Sequence, residues 1–436
     1  MKRFISLLVS LLMTFTFFVG NLSQSFADNK PQLAAQYSIL MDYETGQVLF
    51  DKNGFDKLYP ASTTKIWTAY VVLKNVSDLN EVIKIQDLPV IEGSSMYLKD
   101  GESFTVKQLL DAVLVHSSND ASYVLATHVS GSEENFCKLM NKEAKAIGAN
   151  DTNFTNPHGL PDDNHYTTAY DLALMSREAM SSDVFRNIVK TPYIKFDAAD
   201  ENSIARHFKN TNKFISSKNE TFNYNGKDVP IKYDIVDGIK TGTTDAAGRC
   251  LVSSAVKDNM RLISIVCKSD SPNLYLDSRT LLDYGFDNYY STTIINKDDF
   301  IKSKGLFFTK QKELIYSPEY SYKVVLPNGS KESDYTHKFN LDNINLPIKK
   351  GDKVGTLEIR NEKEIQHTIN LIAKNNVNSV FGFITENKVL MNIIKVLAIT
   401  FAVLIIIFIV LVIRKLLRKQ KRNNSKIYTS QKRRRK

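Results

Sequence analysis

An uncharged run near the C-terminus, residues 396–413, is apolar at every position but Thr400 and constrains this chain more than any other feature. A helix of that length spans about 27 Å, which is enough to cross the hydrocarbon core of a bilayer. The tail that follows, residues 414–436, carries 12 basic side chains and no acidic one. Since basic flanks are retained in the cytoplasm, the run predicts a single-pass transmembrane helix with a cytoplasmic tail. The long preceding chain is then extracytoplasmic.

The N-terminus carries the pattern of a secretory signal peptide. Two basic residues precede an apolar run over residues 4–19, and Ser25-Phe26-Ala27 supplies the small residues of a cleavage site. We therefore expect residues 1–27 to be removed, so that the mature chain begins at Asp28. A retained N-terminal anchor is the alternative.

The net charge of +10 does not indicate a nucleic-acid partner. It comes from the basic tail and from the two basic residues at the N-terminus, and without them residues 4–413 carry a net charge of −4. The folded part is therefore mildly acidic, so the basic balance of the whole chain is no argument for nucleic-acid binding and we expect none. The tail can contact anionic lipid head groups, but a role in setting topology is the simpler explanation.

Three cysteines are too few and too scattered for a disulfide scaffold or a zinc site. Two of them lie in a predicted hairpin, in which the runs 249–256 and 261–267 flank an Asp258-Asn259 turn. In this register Cys250 faces Cys267, and export would permit a disulfide. We favour two buried free thiols over the disulfide.

The order of the predicted elements is typical of an α+β fold. Strand-like runs open the chain near residue 37, a helical block covers residues 62–180, and strands return from residue 231 before a closing helix at 278–284. This order predicts an antiparallel sheet flanked by helices over residues 28–286.

A second folded part is predicted between this domain and the membrane. Residues 287–374 contain short β-prone runs punctuated by proline and glycine, which predicts a small all-β domain. Residues 375–395 are polar and mixed, and we expect them to form a stalk into the transmembrane helix.

Ser62 and Lys65 are the first candidates for chemistry. On a helix, residues three apart share a face, so the amine of Lys65 can reach the hydroxyl of Ser62. An alcohol needs a base, and a lysine can act as one only if burial or a cationic neighbour lowers its pKa. Free backbone N–H groups at a helix start can also bind an oxyanion. The pattern alone is weak, because Ser254 and Lys257 repeat it in the predicted hairpin.

Two further motifs supply polar groups. Ser117-Ser118-Asn119 lies between two apolar helices, where a hydroxyl can relay a proton and a carboxamide can orient a lysine or a substrate carbonyl. Lys240-Thr241-Gly242 lies on a predicted strand, whose glycine lets a substrate backbone approach and whose polar side chains can meet a carboxylate. Taken singly, the first is better explained as a capped helix junction, and the second is a common tripeptide.

Together the three motifs are specific. Ser-x-x-Lys, Ser-x-Asn 55 residues later and Lys-Thr-Gly about 120 residues beyond that follow the order and spacing of the penicillin-recognising serine enzymes. The stretches Pro60–Lys65, Asn156–Leu160 and Gly238–Thr244, with Ala247-Gly248 after them, closely resemble D-alanyl-D-alanine carboxypeptidases, the low-molecular-weight penicillin-binding proteins. The resemblance covers roughly residues 35–375 and includes that family's β-module.

The resemblance implies a fold like that of penicillin-binding transpeptidases and β-lactamases. It also implies a serine-type carboxypeptidase that removes the terminal D-alanine from peptidoglycan stem pentapeptides and is acylated by β-lactams. No metal or organic cofactor is implied. The implied site has Ser62 as nucleophile, Lys65 as base, Ser117 as proton relay, Asn119 as a substrate ligand, Lys240 and Thr241 beside Gly242 as carboxylate ligands, and the backbone N–H groups of Ser62 and Thr243 as the oxyanion hole.

The chain departs from the resemblance in two respects. Relatives often carry an arginine near the carboxylate site, in the loop after the cysteine hairpin, but residues 268–277 contain none, although Arg279 follows. Family members commonly attach through an amphipathic helix on the membrane surface, whereas residues 396–413 predict a true span. The first departure leaves the carboxylate partner open, and the second changes the anchoring but not the chemistry.

Other functions stay open on the sequence alone. A class A β-lactamase needs a glutamate-held water, and residues 156–170 contain aspartates but no glutamate. Transpeptidase or endopeptidase activity on cross-links would use the same site, because acceptor choice depends on the shape of the site. A binding protein with a retired catalytic fold is disfavoured, since all three motifs are intact.

Overall fold

The computed structural model describes residues 30–197, 204–361, 364–382 and 387–433, so the predicted signal peptide lies outside the described residues. The chain forms two compact units. The first comprises the described residues up to Thr292 together with Lys323–Ser330. The second comprises Thr293–Tyr322 and the described residues from Lys331 onward.

Strands and helices are numbered in chain order. The strands are β1 (Tyr37–Asp42), β2 (Val48–Lys52), β3 (Lys57–Leu58), β4 (Val82–Lys84), β5 (Ser103–Thr105), β6 (Thr167–Thr168), β7 (Tyr193–Phe196), β8 (Arg206–Lys209), β9 (Thr221–Tyr224), β10 (Lys227–Pro230), β11 (Val236–Thr244), β12 (Gly248–Lys257), β13 (Met260–Ser269), β14 (Tyr289–Ile295), β15 (Lys302–Gly305), β16 (Glu313–Pro318), β17 (Tyr322–Pro327), β18 (Tyr335–Leu341), β19 (Lys353–Asn361) and β20 (Glu364–Ala373). The α-helices are α1 (Thr64–Asn75), α2 (Val106–Asp111), α3 (Asn119–Ser130), α4 (Glu133–Ala146), α5 (Ala169–Ala179), α6 (Asp183–Val189), α7 (Lys213–Ser216), α8 (Asn273–Asn288) and α9 (Lys388–Arg433).

A five-stranded antiparallel sheet in the order β11-β12-β13-β1-β2 forms the centre of the first unit. Side chains alternate across it, so Leu40 and Leu262 pack on one face, in the cluster that includes α8. Ile39 and Ile263 pack on the other face, in the cluster that contains Trp67 and the helical block. Each fully buried aliphatic side chain contributes about 1.5–3 kcal/mol of transfer free energy. The predicted α+β class, with an antiparallel sheet flanked by helices, is confirmed.

Two predicted helices are interrupted where they carry motif residues. The helix predicted from Ser62 begins at Thr64, because a 3₁₀ turn over Ala61–Thr63 precedes it. Within the predicted helical block, α2 continues into a wider π turn over Ala112–His116, and Ser117 then adopts a left-handed conformation with φ 75°. These local departures from the α-helix carry the motif serines into the site.

The cysteine hairpin forms with the predicted Asp258-Asn259 turn, in which both residues have positive φ. The predicted register runs from Lys257 opposite Met260 up to Leu251 opposite Val266, and a β-bulge then interrupts it. Cys250 and Cys267 lie at this bulge as buried free thiols, the state that the sequence favours. Their mutual hydrogen bond and burial raise the pKa of Cys267 well above its usual value.

The second unit is built on a five-stranded sheet in the order β15-β16-β20-β19-β18. Alternate residues of β19 and β20, including Leu357 and Leu371, form its core. The predicted all-β domain is therefore confirmed. Among the described residues, one helix is long and apolar enough to cross a membrane, over Lys388–Lys421, with a mean hydropathy of 3.5.

A loop at Asn156–Leu160 packs against the turn that carries Ser62. The side-chain oxygen of Asn156 accepts hydrogen bonds from the backbone N–H groups of His158, Gly159 and Leu160 at 3.3, 2.7 and 3.2 Å. Gly159 has φ 87°, and a Cβ there would lie 1.9 Å from the backbone oxygen of Ala61. Only glycine permits both this conformation and this approach.

We expect Gly159→Ala to destabilise the first unit far more than the matched substitution Gly148→Ala. Gly148 has φ 88°, and no atom among those described lies within 4 Å of the position that a Cβ would take. Gly148→Ala should therefore lower the free energy of unfolding only by the cost of a left-handed alanine, about 1–2 kcal/mol. Gly159→Ala adds a backbone collision, and we expect a loss of more than about 4 kcal/mol. Urea unfolding followed by the fluorescence of Trp67, the single tryptophan, reports on this unit. Equal losses would contradict the packing argument.

Candidate active site

Ser62 lies in the 3₁₀ turn directly before α1. The side chain and the backbone N–H of Thr63 both donate to the carbonyl of Pro60, at 2.6 and 3.2 Å, which fixes the turn. Ser62 lines a cavity of about 520 Å³. Its hydroxyl is therefore placed at a rigid corner with access to a ligand.

Lys65, one turn along, is fully buried. Its Nζ donates to Ser62 Oγ at 2.9 Å, to Asn119 Oδ1 at 2.6 Å and to the carbonyl of His158 at 2.7 Å. Burial lowers the pKa of Lys65 well below its usual value, and the charge of Lys240 lowers it further, against an opposing effect of Asp120. An uncharged amine at hydrogen-bond distance from a serine hydroxyl can accept its proton.

The Ser117-Ser118-Asn119 motif lies at the junction of the π turn and α3. Ser117 lines the same cavity as Ser62. Asn119 is buried, and its Nδ2 donates to the carbonyl of Glu92 at 2.5 Å while its Oδ1 accepts from Lys65. The carboxamide of Asn119 thus bonds to Lys65 on one side and to the backbone of the loop at Glu92 on the other.

The third motif lies on β11, which is an edge strand of the central sheet. A Cβ on Gly242 would lie 3.1 Å from the backbone nitrogens of Ser62 and Thr63, so this glycine lets the strand pass close to the turn that carries Ser62. Lys240 is fully buried, and its Nζ donates to the carbonyl of Thr241 at 3.0 Å. Burial lowers the pKa of Lys240 to about 7. The Thr241 hydroxyl donates to Thr211 Oγ1 at 2.7 Å.

The structure brings the sequence-predicted residues together around one cavity. Those that line it are Ser62, Ser117, Thr241, Gly242 and Thr243. Behind this wall, Lys65 bonds to Asn119, and Lys240 lies close enough to lower the pKa of Lys65. An edge strand, a 3₁₀ turn and a buried amine therefore surround a volume able to hold a short peptide end.

The second Ser-x-x-Lys pattern forms no such arrangement. Ser254 lies on β12, where its Oγ accepts from Arg261 at 2.6 Å, and Lys257 pairs with Asp287 at 3.7 Å. His116 stacks on Phe208 with a centroid distance of 3.8 Å, in keeping with a structural role.

Sequence reasoning missed two contributors to the site. The carbonyl of His158 acts through the backbone, so no side-chain pattern could reveal it. Arg249 is exposed, lines the cavity, and pairs across the sheet with Thr243 on one side and Ser269 on the other. Arg279, by contrast, pairs with Asp283 at 3.6 Å and lies over the ring of Tyr233 at 4.2 Å.

Comparison with known proteins matches both parts of the chain. The family model described as D-alanyl-D-alanine carboxypeptidase matches residues 24–271. A second, described as the C-terminal domain of penicillin-binding protein 5, matches residues 289–379.

Individual relatives agree with these matches. The chain is 32% identical to D-alanyl-D-alanine carboxypeptidase DacF of Bacillus subtilis, over 88% of this chain and 97% of the relative. It is similar to the structure of penicillin-binding protein 5 from Haemophilus influenzae, with 29% identity, a TM-score of 0.66, and coverage of 80% of this chain and 99% of that one. A DD-transpeptidase from Streptomyces matches with 29% identity, a TM-score of 0.53, and coverage of 59% of this chain and 100% of that one.

The carboxypeptidase match extends over more than half of the chain, and the relative from Bacillus subtilis matches 88% of it at 32% identity. The chain therefore belongs to the D-alanyl-D-alanine carboxypeptidase family, whose members are serine enzymes that act through an acyl-enzyme and bind β-lactams.

Proposed function

We propose that this chain removes the terminal D-alanine of peptidoglycan stem pentapeptides with Ser62 as the nucleophile. The observation that carries the proposal is the 2.9 Å contact between Ser62 Oγ and Lys65 Nζ, together with the burial that lowers the pKa of Lys65. Lys65 in its neutral form accepts the hydroxyl proton as Ser62 Oγ bonds to the carbonyl carbon of the penultimate D-alanine.

The resulting oxyanion accepts hydrogen bonds from the backbone N–H groups of Ser62 and Thr243. When the tetrahedral intermediate collapses, the C–N bond breaks and its electron pair leaves with the terminal D-alanine. The proton held by Lys65 passes to that nitrogen, with the Ser117 hydroxyl as relay. Water then attacks the Ser62 ester, and Lys65 takes its proton in the same way.

Substrate orientation comes from the edge strand. A peptide that pairs with β11 extends the sheet, and the close approach at Gly242 keeps the Ser62 turn beside this strand. Lys240 supplies positive charge near the terminal carboxylate, and Thr241 supplies a hydroxyl. Asn119 Oδ1 orients Lys65 by accepting its hydrogen bond. Asn119 Nδ2 donates to the substrate amide in place of its present bond to the carbonyl of Glu92.

β-Lactams mimic the substrate in this scheme. Ser62 opens the lactam ring, but the leaving nitrogen stays attached to the acyl group. The tethered fragment keeps water from the ester, so the acyl-enzyme persists.

We further propose a single-pass topology. α9 crosses the cell membrane, the catalytic unit (28–286) and the β-rich domain (287–374) are extracytoplasmic, and the tail from residue 414 is cytoplasmic. Support comes from the apolar span and from the excess of basic residues after it.

Ser62→Ala should abolish D-alanine release by the full chain in detergent, with a loss of at least about 10⁴-fold, because it removes the hydroxyl that contacts Lys65 Nζ and forms the ester. The substrate is a diacylated Lys-D-Ala-D-Ala tripeptide, and free D-alanine is measured. Ser254→Ala, the serine of the second Ser-x-x-Lys pattern, is the matched control and should keep full activity.

A different outcome would change the assignment. If the wild type binds labelled penicillin but releases D-alanine only when an amine acceptor is added, it is a transpeptidase. Rapid turnover of penicillin would instead make it a β-lactamase.

The pH dependence of kcat/KM should have two limbs. Below the pKa of Lys65 its ammonium form cannot accept a proton, so activity falls as pH falls. Above the pKa of Lys240, about 7, that lysine loses the charge that attracts the carboxylate, so activity falls again as pH rises. With a substrate ending in a carboxamide the alkaline limb should vanish. An alkaline limb of equal size with both substrates would contradict the role of Lys240.

Arg249 is the cation best placed to replace the arginine that relatives carry in the loop after the hairpin. It lies opposite Ser269 at the start of that loop and opposite Thr243 on the substrate strand. The other cation in the cavity wall, Lys213, is paired with Glu220. Arg249 is thus available to the terminal carboxylate, with the bidentate geometry that guanidinium provides.

Arg249→Ala should therefore lower kcat/KM about tenfold for the free-acid peptide, the equivalent of losing about 1.4 kcal/mol of binding. It should leave the carboxamide peptide unaffected. Lys213→Ala is the matched control, since it removes a cation from the same wall. An equal loss for the acid and the amide would show that Arg249 only supports the fold.

A further inference from the structure

One end of the β-rich unit exposes a group of large apolar side chains. Phe307 is 89% exposed, Phe308 71%, Phe381 49% and Val380 37%. We call these four residues the aromatic patch. Apolar aromatic rings that stand together in water are costly in free energy unless another surface covers them.

The aromatic patch is built from two segments that are held together. The backbone N–H of Val380 donates to the carbonyl of Phe308 at 2.8 Å, and that of Lys310 donates to Asn378 at 2.9 Å. The rings of Phe308 and Phe381 are in contact, with a centroid distance of 5.8 Å. Phe308 has φ 58°, a conformation that a bulky residue rarely adopts. The rings are therefore displayed by an ordered loop.

The segment that contributes Phe307 and Phe308 to the patch is basic. Residues 301–312 contain Lys302, Lys304, Lys310 and Lys312, all exposed, and no acidic residue. Aromatic rings bordered by lysines match the chemistry of a bilayer surface, where rings enter the head-group region and ammonium groups contact lipid phosphates.

The chain itself ties the patch to a membrane. Phe381 precedes Lys388, the first residue of α9, by seven positions. Even fully extended, those residues span only about 25 Å. Among the described residues, α9 is the helix able to cross a bilayer, and its apolar run over 396–413 begins eight residues, about 12 Å of helix, after Lys388. Any membrane that holds this helix therefore lies within reach of the patch.

We propose that the aromatic patch rests in the head-group region of the membrane that α9 enters, so that the β-rich unit stands end-on on the lipid surface. The inference depends on the proposed anchoring by α9. The β-rich unit, which is the second unit without α9, would then bind lipid directly at one end. Anchoring by α9 alone would hold this unit near the membrane without fixing its orientation. A partner protein or a second copy of the chain is the competing occupant.

The test uses the full chain in vesicles of phosphatidylcholine and phosphatidylglycerol, with Phe307→Trp as the reporter. Trp67 is buried and is the single native tryptophan, so the wild type gives the background. Lipids brominated near the top of their acyl chains should quench the added tryptophan by about half. The matched control is Ile365→Trp, an apolar residue that is 51% exposed at the far end of β20 from Ala373. It should not be quenched.

Charge is tested in the same system. Lys310→Gln with Lys312→Gln should reduce the quenching of the tryptophan at 307, as should removal of phosphatidylglycerol. Equal quenching at 307 and 365, or none at 307, would overturn the inference. Flotation of the vesicles distinguishes the two failures. A chain that floats without quenching leaves the anchoring intact, whereas a chain that does not float refutes both proposals.

Discussion

The site depends on burying one amine. Lys65 has three hydrogen-bond partners, drawn from the turn that carries Ser62, from α3 and from the loop at 156–160. A lysine left in water keeps its proton and cannot act as a base near neutral pH, so water must be excluded from its surroundings. The helical block, the central sheet and the loop that contributes the carbonyl of His158 together provide this exclusion. The fold thus sets the protonation state on which the chemistry relies.

Close backbone approach is the second requirement, and glycine meets it at two points. Gly242 lets the edge strand pass beside the turn that carries Ser62, and Gly159 lets the loop contact the carbonyl of Ala61. A Cβ on Gly242 would fill the space between β11 and the turn that carries Ser62, so this glycine is what allows Thr243 and Ser62 to line the same cavity.

Side-chain motifs made much of this site predictable. Ser62, Lys65, Ser117, Asn119 and the residues of β11 could be placed on a helix start, a junction and a strand from the motifs. Ser62, Ser117 and Thr241–Thr243 line one cavity, and Lys65 bonds to both Ser62 and Asn119. The 3₁₀ and π turns could not be predicted, since tertiary packing rather than local propensity decides them. The carbonyl of His158 has no side-chain signature. Arg249 was missed because its position depends on a β-bulge that displaces the register beside Cys250.

The placement of cations follows from the same electrostatics. Lys65 and Lys240 share a buried region, and the charge on Lys240 helps keep Lys65 neutral. Burial, however, lowers the pKa of Lys240 itself to about 7. This lysine therefore loses its positive charge as the pH rises above 7, although the proposed contact with the substrate carboxylate requires that charge. The guanidinium of Arg249 keeps its charge at every relevant pH. Because Arg249 is exposed on the cavity wall, its charge is not desolvated by burial. In the proposed site the carboxylate meets both cations, the buried Lys240, whose charge also lowers the pKa of Lys65, and the exposed Arg249, whose charge persists where that of Lys240 is lost.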